Sequence, residues 1–253
     1  NLVFLNVFER FYGMYQQKLS DHQEIDFQDM LHIASDYLES SKFSPNLKFV
    51  LVDEFQDMSY DKKRFLSSIV NQNDRVYLFA VGDDWQSIYR FSGADISVMT
   101  NFSKHYVEFH GGVYRDTLCQ TFRCSQIISD TTAEFIQRNP MQIKKDVISC
   151  NNFEQSEIRI CKYKYKNDYE DKLKAIIIEQ DQMAKKNNEE IDILLLGRYN
   201  FVNPSKVLES FEIRNLERTS VKFMTIHKSK GLEADYVILL RLEGGEYGFP
   251  CFV

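Results

Sequence analysis

Cysteine is sparse, and its placement suits neither cross-linking nor metal binding. The five cysteines are Cys119, Cys124, Cys150, Cys161 and Cys251; their number is odd and no two form a C-x-x-C pair. That argues against a disulfide framework and against a zinc site, and a reducing cytoplasm is the natural compartment. No apolar run approaches the roughly 20 residues needed to cross a bilayer. No secretory signal precedes the first helix-like segment. Internal repeats and low-complexity tracts are missing too. So is any basic excess: the formal net charge is −6. A polyanion binder is not favoured by that sum, so contact with nucleic acid has to come from how charge is distributed.

The 253 residues are 43% hydrophobic, enough for one large or two ordinary domains with buried cores. The chain starts at Asn1 rather than Met and ends in Phe252 and Val253, which reads as an excised piece of a longer protein. Leu5, Phe8, Tyr12, Tyr15 and Leu19 recur at helical spacing, predicting an opening amphipathic helix with a core-facing aromatic stripe. Asp26 is placed to cap a second helix carrying Phe27, Met30, Leu31, Ala34 and Leu38. Ser44 and Pro45 break the pattern.

The stretch LKFVLVDEFQD, Leu47 to Asp57, organises the rest of the chain. The apolar run Phe49 to Val52 predicts a strand buried on both faces of a parallel sheet. It ends in two adjacent carboxylates, Asp53 and Glu54, where ligands of open α/β sheets bind. One carboxylate there can hold a magnesium ion through its water shell, and the next can orient or deprotonate an attacking water. A helix from about Tyr60 to Val70, a polar turn from Asn71 to Asp74 and a second buried strand, Val76 to Val81, complete a βαβ pattern. A short helix, Ile96 to Phe102, comes next, and Gly111 with Gly112 marks a break between lobes. Beyond it the pattern predicts a strand near Val113 to Leu118 and a helix from Ser125 to Asn139–Pro140. Asn151 to Glu157 is a polar connector, and Ile158 to Tyr165 alternates like a half-exposed strand. Tyr169, Leu173, Ile176, Ile177 and Gln180 share one helix face, and Ile191 to Leu196 is a very apolar strand. Asn203–Pro204 opens another helix with Pro at its first position. Val221 to Ile226 and Tyr236 to Leu240 are the last strands.

Three further clusters bear chemistry. Gly82, Asp83, Asp84, Trp85 and Gln86 follow the second strand. Glycine lets backbone approach a ligand, and a glutamine can bond both a phosphate oxygen and a water. Tyr89 and Phe91 flank Arg90, a composition suited to stacking on unpaired bases. Arg123, in QTFRCS, can bind phosphate bidentately, with Phe122 beside it to stack on an adenine. His227, Lys228, Lys230 and Gly231 form a basic loop suited to a nucleic-acid backbone, and Glu233 can accept from a ribose hydroxyl. Each cluster alone has a plainer reading: an acidic turn after a strand, an aromatic-rich core turn, a surface arginine beside a buried phenylalanine, a structural or solvated histidine.

Together LVDEFQD, VGDDWQSIYRFSGAD, LCQTFRCS and VKFMTIHKSKGLEADYVIL, with DFQDML ahead of them, resemble motifs II to V of superfamily 1 DNA helicases of the UvrD/Rep type, and the third-motif wording resembles the helicase IV branch. The resemblance covers most of the chain. It implies that Asp53 holds the magnesium of Mg-ATP and that Glu54 is the catalytic base for water. It implies that Gln86 senses the γ-phosphate and links it to the DNA site, that Arg123 reaches the γ-phosphate from a second lobe, that Phe122 stacks on adenine and that Glu233 contacts the ribose. Tyr89, Phe91, Thr225 and His227 fall where the family contacts single-stranded DNA. Family members commonly read YGWRGA where this chain reads YRFSGA, so Phe91 replaces the stacking tryptophan and Ser92 stands in an arginine's place, next to Arg90.

The implied fold is α/β, two incomplete RecA-like (P-loop NTPase) lobes with parallel sheets flanked by helices. Residues 1–45 are a helical lead-in to domain 1A, 46–112 its later part, and 113–253 most of domain 2A. The segment between Pro140 and Val221 is too short for a full 2B domain. The sequence contains no G-x-x-x-x-G-K-[ST], so the phosphate-cradling loop is missing, and so is the arginine-bearing motif VI. The expected function is that of a piece of a 3′–5′ helicase coupling ATP hydrolysis to movement along single-stranded DNA and its duplex junctions. The piece itself is expected to be inactive. Two rival readings stand beside it: a degenerate relic that binds DNA or protein, and a metal-dependent nuclease using Asp53, Glu54, Asp57, Asp83 and Asp84.

Overall fold

The computed structural model describes residues 2–73, 75–106, 112–150 and 158–245. Asp74, Gly111 and the connector Asn151 to Glu157 lie outside the described residues. The chain divides into two compact units, residues 1–117 with 136–145, and residues 118–135 with 146–253. The sequence pattern assigns 113–117 and 136–145 to the second lobe; both pack with the first unit. Among the described residues no helix is long and apolar enough to cross a membrane.

In the first unit, α1 (Leu2–His22) is followed by α2 (Phe27–Glu39). Asp26 caps α2 as its residue type predicts: its carboxylate accepts the N–H groups of Gln28 and Asp29, both at 2.8 Å. Asp29 returns the bond to the Asp26 N–H, completing a capping box. α2 is joined to α3 (Tyr60–Asn71) by Arg64, which reaches Asp36 and Glu39, each at 2.6 Å. β1 (Phe49–Val52) and β2 (Tyr77–Ala80), on either side of α3, pair in parallel with Phe49 opposite Tyr77. The βαβ expectation therefore holds. Val50, Val52, Leu78 and Ala80 turn inward onto Phe55, Met58, Leu66 and Val70, together with Val98 of α4 (Ser97–Thr100) and Tyr106 of α5 (Phe102–Tyr106).

Two burial expectations fail here. β1 and β2 are covered on one face only: Phe49, Leu51, Tyr77 and Phe79 are 65%, 73%, 69% and 62% exposed. The aromatic stripe of α1 faces no core either, since α1 has no buried residue. An apolar run reports a tendency to be covered, not what covers it.

In the second unit, β5 (Ile191–Gly197) is the centre of a parallel three-stranded sheet, flanked by β6 (Thr219–Thr225) and β7 (Tyr236–Leu239). α7 (Lys166–Asn187) lays Leu173 and Ile177 on Ile193 and Leu195, and Val207 of α8 (Ser205–Leu208) and Ile213 of α9 (Phe211–Arg214) close that core. Pro204 caps α8 rather than opening it. A two-residue ladder pairs β3 (Gln120–Thr121) with β4 (Ile148–Ser149), next to α6 (Gln126–Ile136). The strands expected over Val113–Leu118 and Ile158–Tyr165 are absent. Alternating side chains do not make a strand unless a neighbour takes up its N–H and C=O groups.

Candidate active site

β1 stops at Val52 and the chain turns sharply. Asp53 and Glu54 are exposed, and the Asp53 Oδ1 accepts the Glu54 N–H at 2.8 Å. Glu54 is left-handed, with φ 52° and ψ 42°. For a residue with a Cβ that conformation costs about 1–3 kcal/mol, and such strain clusters at functional sites. The turn sends Phe55 and Gln56 into the interior while leaving the Glu54 carboxylate at the surface.

Gln56 is 1% exposed and ties the tips of β1 and β2 together. Its Nε2 donates to Glu54 Oε2 at 2.5 Å, and its Oε1 accepts the Asp83 N–H at 2.9 Å. Gly82 makes this approach possible: a Cβ there would lie 2.6 Å from Gln56 Oε1 and 3.0 Å from the backbone nitrogens of Phe55 and Gln56. The glycine is needed for closeness of backbone, as the sequence suggests, but the neighbour is the chain itself.

Past Gly82 the loop is pinned by Ile143 and Lys145. Asp83 accepts the Trp85 N–H at 3.2 Å on Oδ1 and the Gln86 amide at 2.8 Å on Oδ2. Lys145 Nζ stands 2.6 Å from Asp83 Oδ1 and 2.5 Å from Asp84 Oδ1. It also lies 4.9 Å from the centre of the Trp85 ring, a cation–π distance. Asp84 is fully buried and accepts the Ile143 N–H at 2.6 Å. The Trp85 indole donates to the Ile143 carbonyl at 3.0 Å. Burial pushes the Asp83 carboxyl up, but Lys145 and Gln86 outweigh it and hold it below the usual carboxylate range. Burial likewise pushes Lys145 down, and its two aspartates hold it above the usual lysine value. Asp83 and Asp84 thus converge on an ammonium. Among the described residues no group of three or more His, Cys, Asp or Glu side chains is arranged to hold a metal.

The remaining sequence candidates fall into three places. Tyr89 and Phe91 meet edge to face at 6.1 Å, with Phe91 exposed. Arg123 and Glu233 pair with each other in the second unit, Nε to Oε2 at 3.1 Å, beside exposed Phe122. Thr225 and His227 sit where β6 ends. Thr225 is buried, its carbonyl accepting the N–H groups of Lys228 and Ser229, whereas His227 is exposed. Sequence reasoning missed Gln56 and Lys145. A polar residue in the otherwise buried turn after β1 was a usable signal for Gln56. Lys145 lies 62 residues from its partner Asp83, and no local pattern marks it.

Parallel strands with polar ligand-type loops after their carboxyl ends define the class: an α/β protein of RecA-like lobes. The UvrD/REP helicase N-terminal domain matches residues 3–107 and the UvrD-like helicase C-terminal domain residues 199–252. The chain belongs to the UvrD/Rep helicase family. It is 38% identical to DNA helicase IV of Escherichia coli over 92% of this chain and 32% of that protein. It is 30% identical to the ATP-dependent DNA helicase PcrA of Leuconostoc citreum over 53% of this chain and 18% of that protein. It is 23% identical to the exonuclease/helicase subunit RexA of Streptococcus pneumoniae over 95% of this chain and 19% of that protein. The chain therefore spans a third or less of each of these relatives.

Proposed function

We propose that the protein carrying this chain is an ATP-dependent DNA helicase or translocase, moving 3′ to 5′ on single-stranded DNA and at its junctions with duplex, in the cytoplasm. The observation that carries this reading is the hydrogen-bonded run from Glu54 through Gln56 to Asp83 and on to Gln86. On this reading the carboxylate that would take a proton from water is coupled through that run to the amide that would bond phosphate.

The residues present suit magnesium and ATP at one end. Asp53 offers an exposed carboxylate oxygen, the donor magnesium prefers. When bound, the ion would supply positive charge against the phosphate oxygens. Asp53 would hold it, and Glu54, kept in place by Gln56, would orient and deprotonate water. Gln86 would bond the γ-phosphate. Arg123 would answer the phosphate charge, Phe122 would stack on the base and Glu233 would accept from the ribose. The bridge between Arg123 and Glu233 is exposed, and such pairs contribute only about 0–1 kcal/mol, so both ends can be recruited to a ligand. Phe91, Tyr89 and His227 would meet unpaired DNA, and Thr225, being buried, would shape the turn that presents His227. We read residues 1–45 as a helical lead-in, 46–112 as the later part of domain 1A and 113–253 as most of domain 2A, except that the stretches 113–117 and 136–145 pack with the first unit.

Magnesium-dependent ATP hydrolysis by the full-length protein, stimulated by single-stranded DNA and lost in Glu54→Gln, is the test. Full activity of Glu54→Gln would refute the assignment of the base. Absence of any turnover by the full-length protein would favour a non-catalytic relic.

A further inference from the structure

We infer that Lys145 is a positioning residue for Gln86, acting through Asp83. This rests on the reading of Gln86 as the side chain that bonds the γ-phosphate. The two oxygens of the Asp83 carboxylate face different partners: Oδ1 meets Lys145 Nζ at 2.6 Å and more weakly accepts the Trp85 N–H at 3.2 Å, and Oδ2 accepts the Gln86 amide at 2.8 Å. A carboxylate held at one oxygen by an ammonium presents the other in a fixed direction. One of the two amide hydrogens of Gln86 is thereby engaged, leaving the second hydrogen and Oε1 for a ligand.

Lys145 is well suited to hold this geometry. Its side chain is only 11% exposed, it faces Asp83 and Asp84 together, and its ammonium lies over the Trp85 ring. The backbone of Ile143 fixes the same segment independently, through Asp84 and through the Trp85 indole. Attachment of the segment therefore does not depend on Lys145 alone, whereas the only charged partner of Asp83 Oδ1 among the described residues is Lys145, the Trp85 N–H at 3.2 Å being the longer, neutral contact. The segment also comes directly after α6, whose residues 126–135 belong to the second unit, while 136–145 pack with the first. A residue delivered by that stretch thus sets the orientation of an amide two steps away.

The test uses the full-length protein with Lys145→Met, Lys145→Arg and the double variant Lys145→Met/Asp84→Asn. The double variant removes the buried charge that Lys145→Met strands, so it keeps the question open to measurement if the single variant does not fold. ATPase kinetics with single-stranded DNA, and hydrogen exchange of the peptide over residues 82–92, are the readouts. The expected result is a kcat lowered about tenfold or more in both Met variants, with KM for ATP and DNA affinity within about twofold. Lys145→Arg should restore most of the rate. Exchange over 82–92 should quicken in the Met variants, while that of β5 and β6 stays unchanged. An unchanged kcat in a folded Met variant, a parallel change in KM, or failure of arginine to rescue would overturn the inference. If the wild-type protein hydrolyses no ATP, the proposed function falls by itself. Hydrogen exchange then decides this inference alone: wild-type exchange over 82–92 in the Met variants defeats it, and quickened exchange reversed by arginine upholds the hold on the loop.

Discussion

Gln56 reaches Asp83 across the tips of two parallel strands, its side-chain oxygen accepting the Asp83 N–H at 2.9 Å. The other end of the same amide donates to Glu54 at 2.5 Å. One buried side chain therefore fixes both the acidic turn after β1 and the start of the loop after β2. Neither loop is held by its own strand alone, so the geometry of the exposed carboxylate depends on a residue that solvent hardly touches.

Gln56→Leu tests that dependence. Leucine fills a similar volume but leaves the Asp83 N–H without its side-chain acceptor and removes the Gln56 amide from Glu54. An orphaned buried polar group costs about 1–3 kcal/mol. Urea denaturation should show a lower midpoint at unchanged slope. A midpoint equal to wild type would mean that water replaces the amide and that the two tips are not joined through it.

Gly82→Ala tests the closeness of the same contact from the other side. The new Cβ would lie 2.6 Å from Gln56 Oε1 and 3.0 Å from two backbone nitrogens, so the backbone has to move and not merely a side-chain tip. Overpacking of this kind costs about 1–3 kcal/mol. Thermal unfolding should fall accordingly, and trimming Gln56 to Ala in the same protein should recover only part of the loss. Complete recovery would show that the backbone contacts are not limiting.

The βαβ core was readable because its signals are local. Apolar runs of strand length at Phe49–Val52 and Ile191–Leu196, each with polar residues after it, mark strands that end at a site, and Asp26 with Asp29 three residues on marks a helix start. What was not readable depends on partners far away in sequence. Periodicity could not say that Phe8, Tyr12, Phe49 and Phe79 face outward, because it encodes which face is apolar and not what lies opposite. Among the described residues no strand pairs with the alternation at Ile158–Tyr165. The candidate site divided in the same way: Asp53, Glu54 and Gln86 stand at strand tips that motif spacing locates, whereas Lys145 is joined to them only by folding. The pairing of Arg123 with Glu233 spans 110 residues and carries no spacing signal either.

The Asp83–Lys145 pair gives a pH window. Burial raises the Asp83 pKa, but Lys145 and Gln86 leave it below its ordinary value, about 3.9 in unfolded chains. The stabilisation is thus complete above that value and is lost as pH falls through the lower, folded pKa. Lys145 has the opposite sign: burial lowers it, its aspartates raise it further, and its contribution is complete below about 10.4 and lost above its folded pKa. The pair should be intact across neutral pH and should loosen only below about pH 4 or above about pH 10. Trp85 is the sole tryptophan of this chain and lies against Lys145, so its fluorescence reports the change. A red shift of emission near pH 6–7, in the range of an ordinary histidine, would place control of the loop on some other group.

Glu54→Gln separates chemistry from architecture. Glutamine keeps the length of glutamate, and its carbonyl oxygen can still accept the Gln56 amide that now bonds Glu54 Oε2. The left-handed backbone at this position burdens either residue equally. Stability should therefore change by less than about 0.5 kcal/mol, as for substitutions that break no packing or buried bond. The amide cannot take a proton from water, and loss of a general base lowers rate by about 10²–10⁴-fold. In the full-length protein, kcat for DNA-stimulated ATP hydrolysis should fall by that factor while affinity for a single-stranded oligonucleotide, read by fluorescence anisotropy, stays within about twofold. A comparable fall in affinity or in melting temperature would mean that Glu54 holds the turn together, and the base would have to be sought elsewhere.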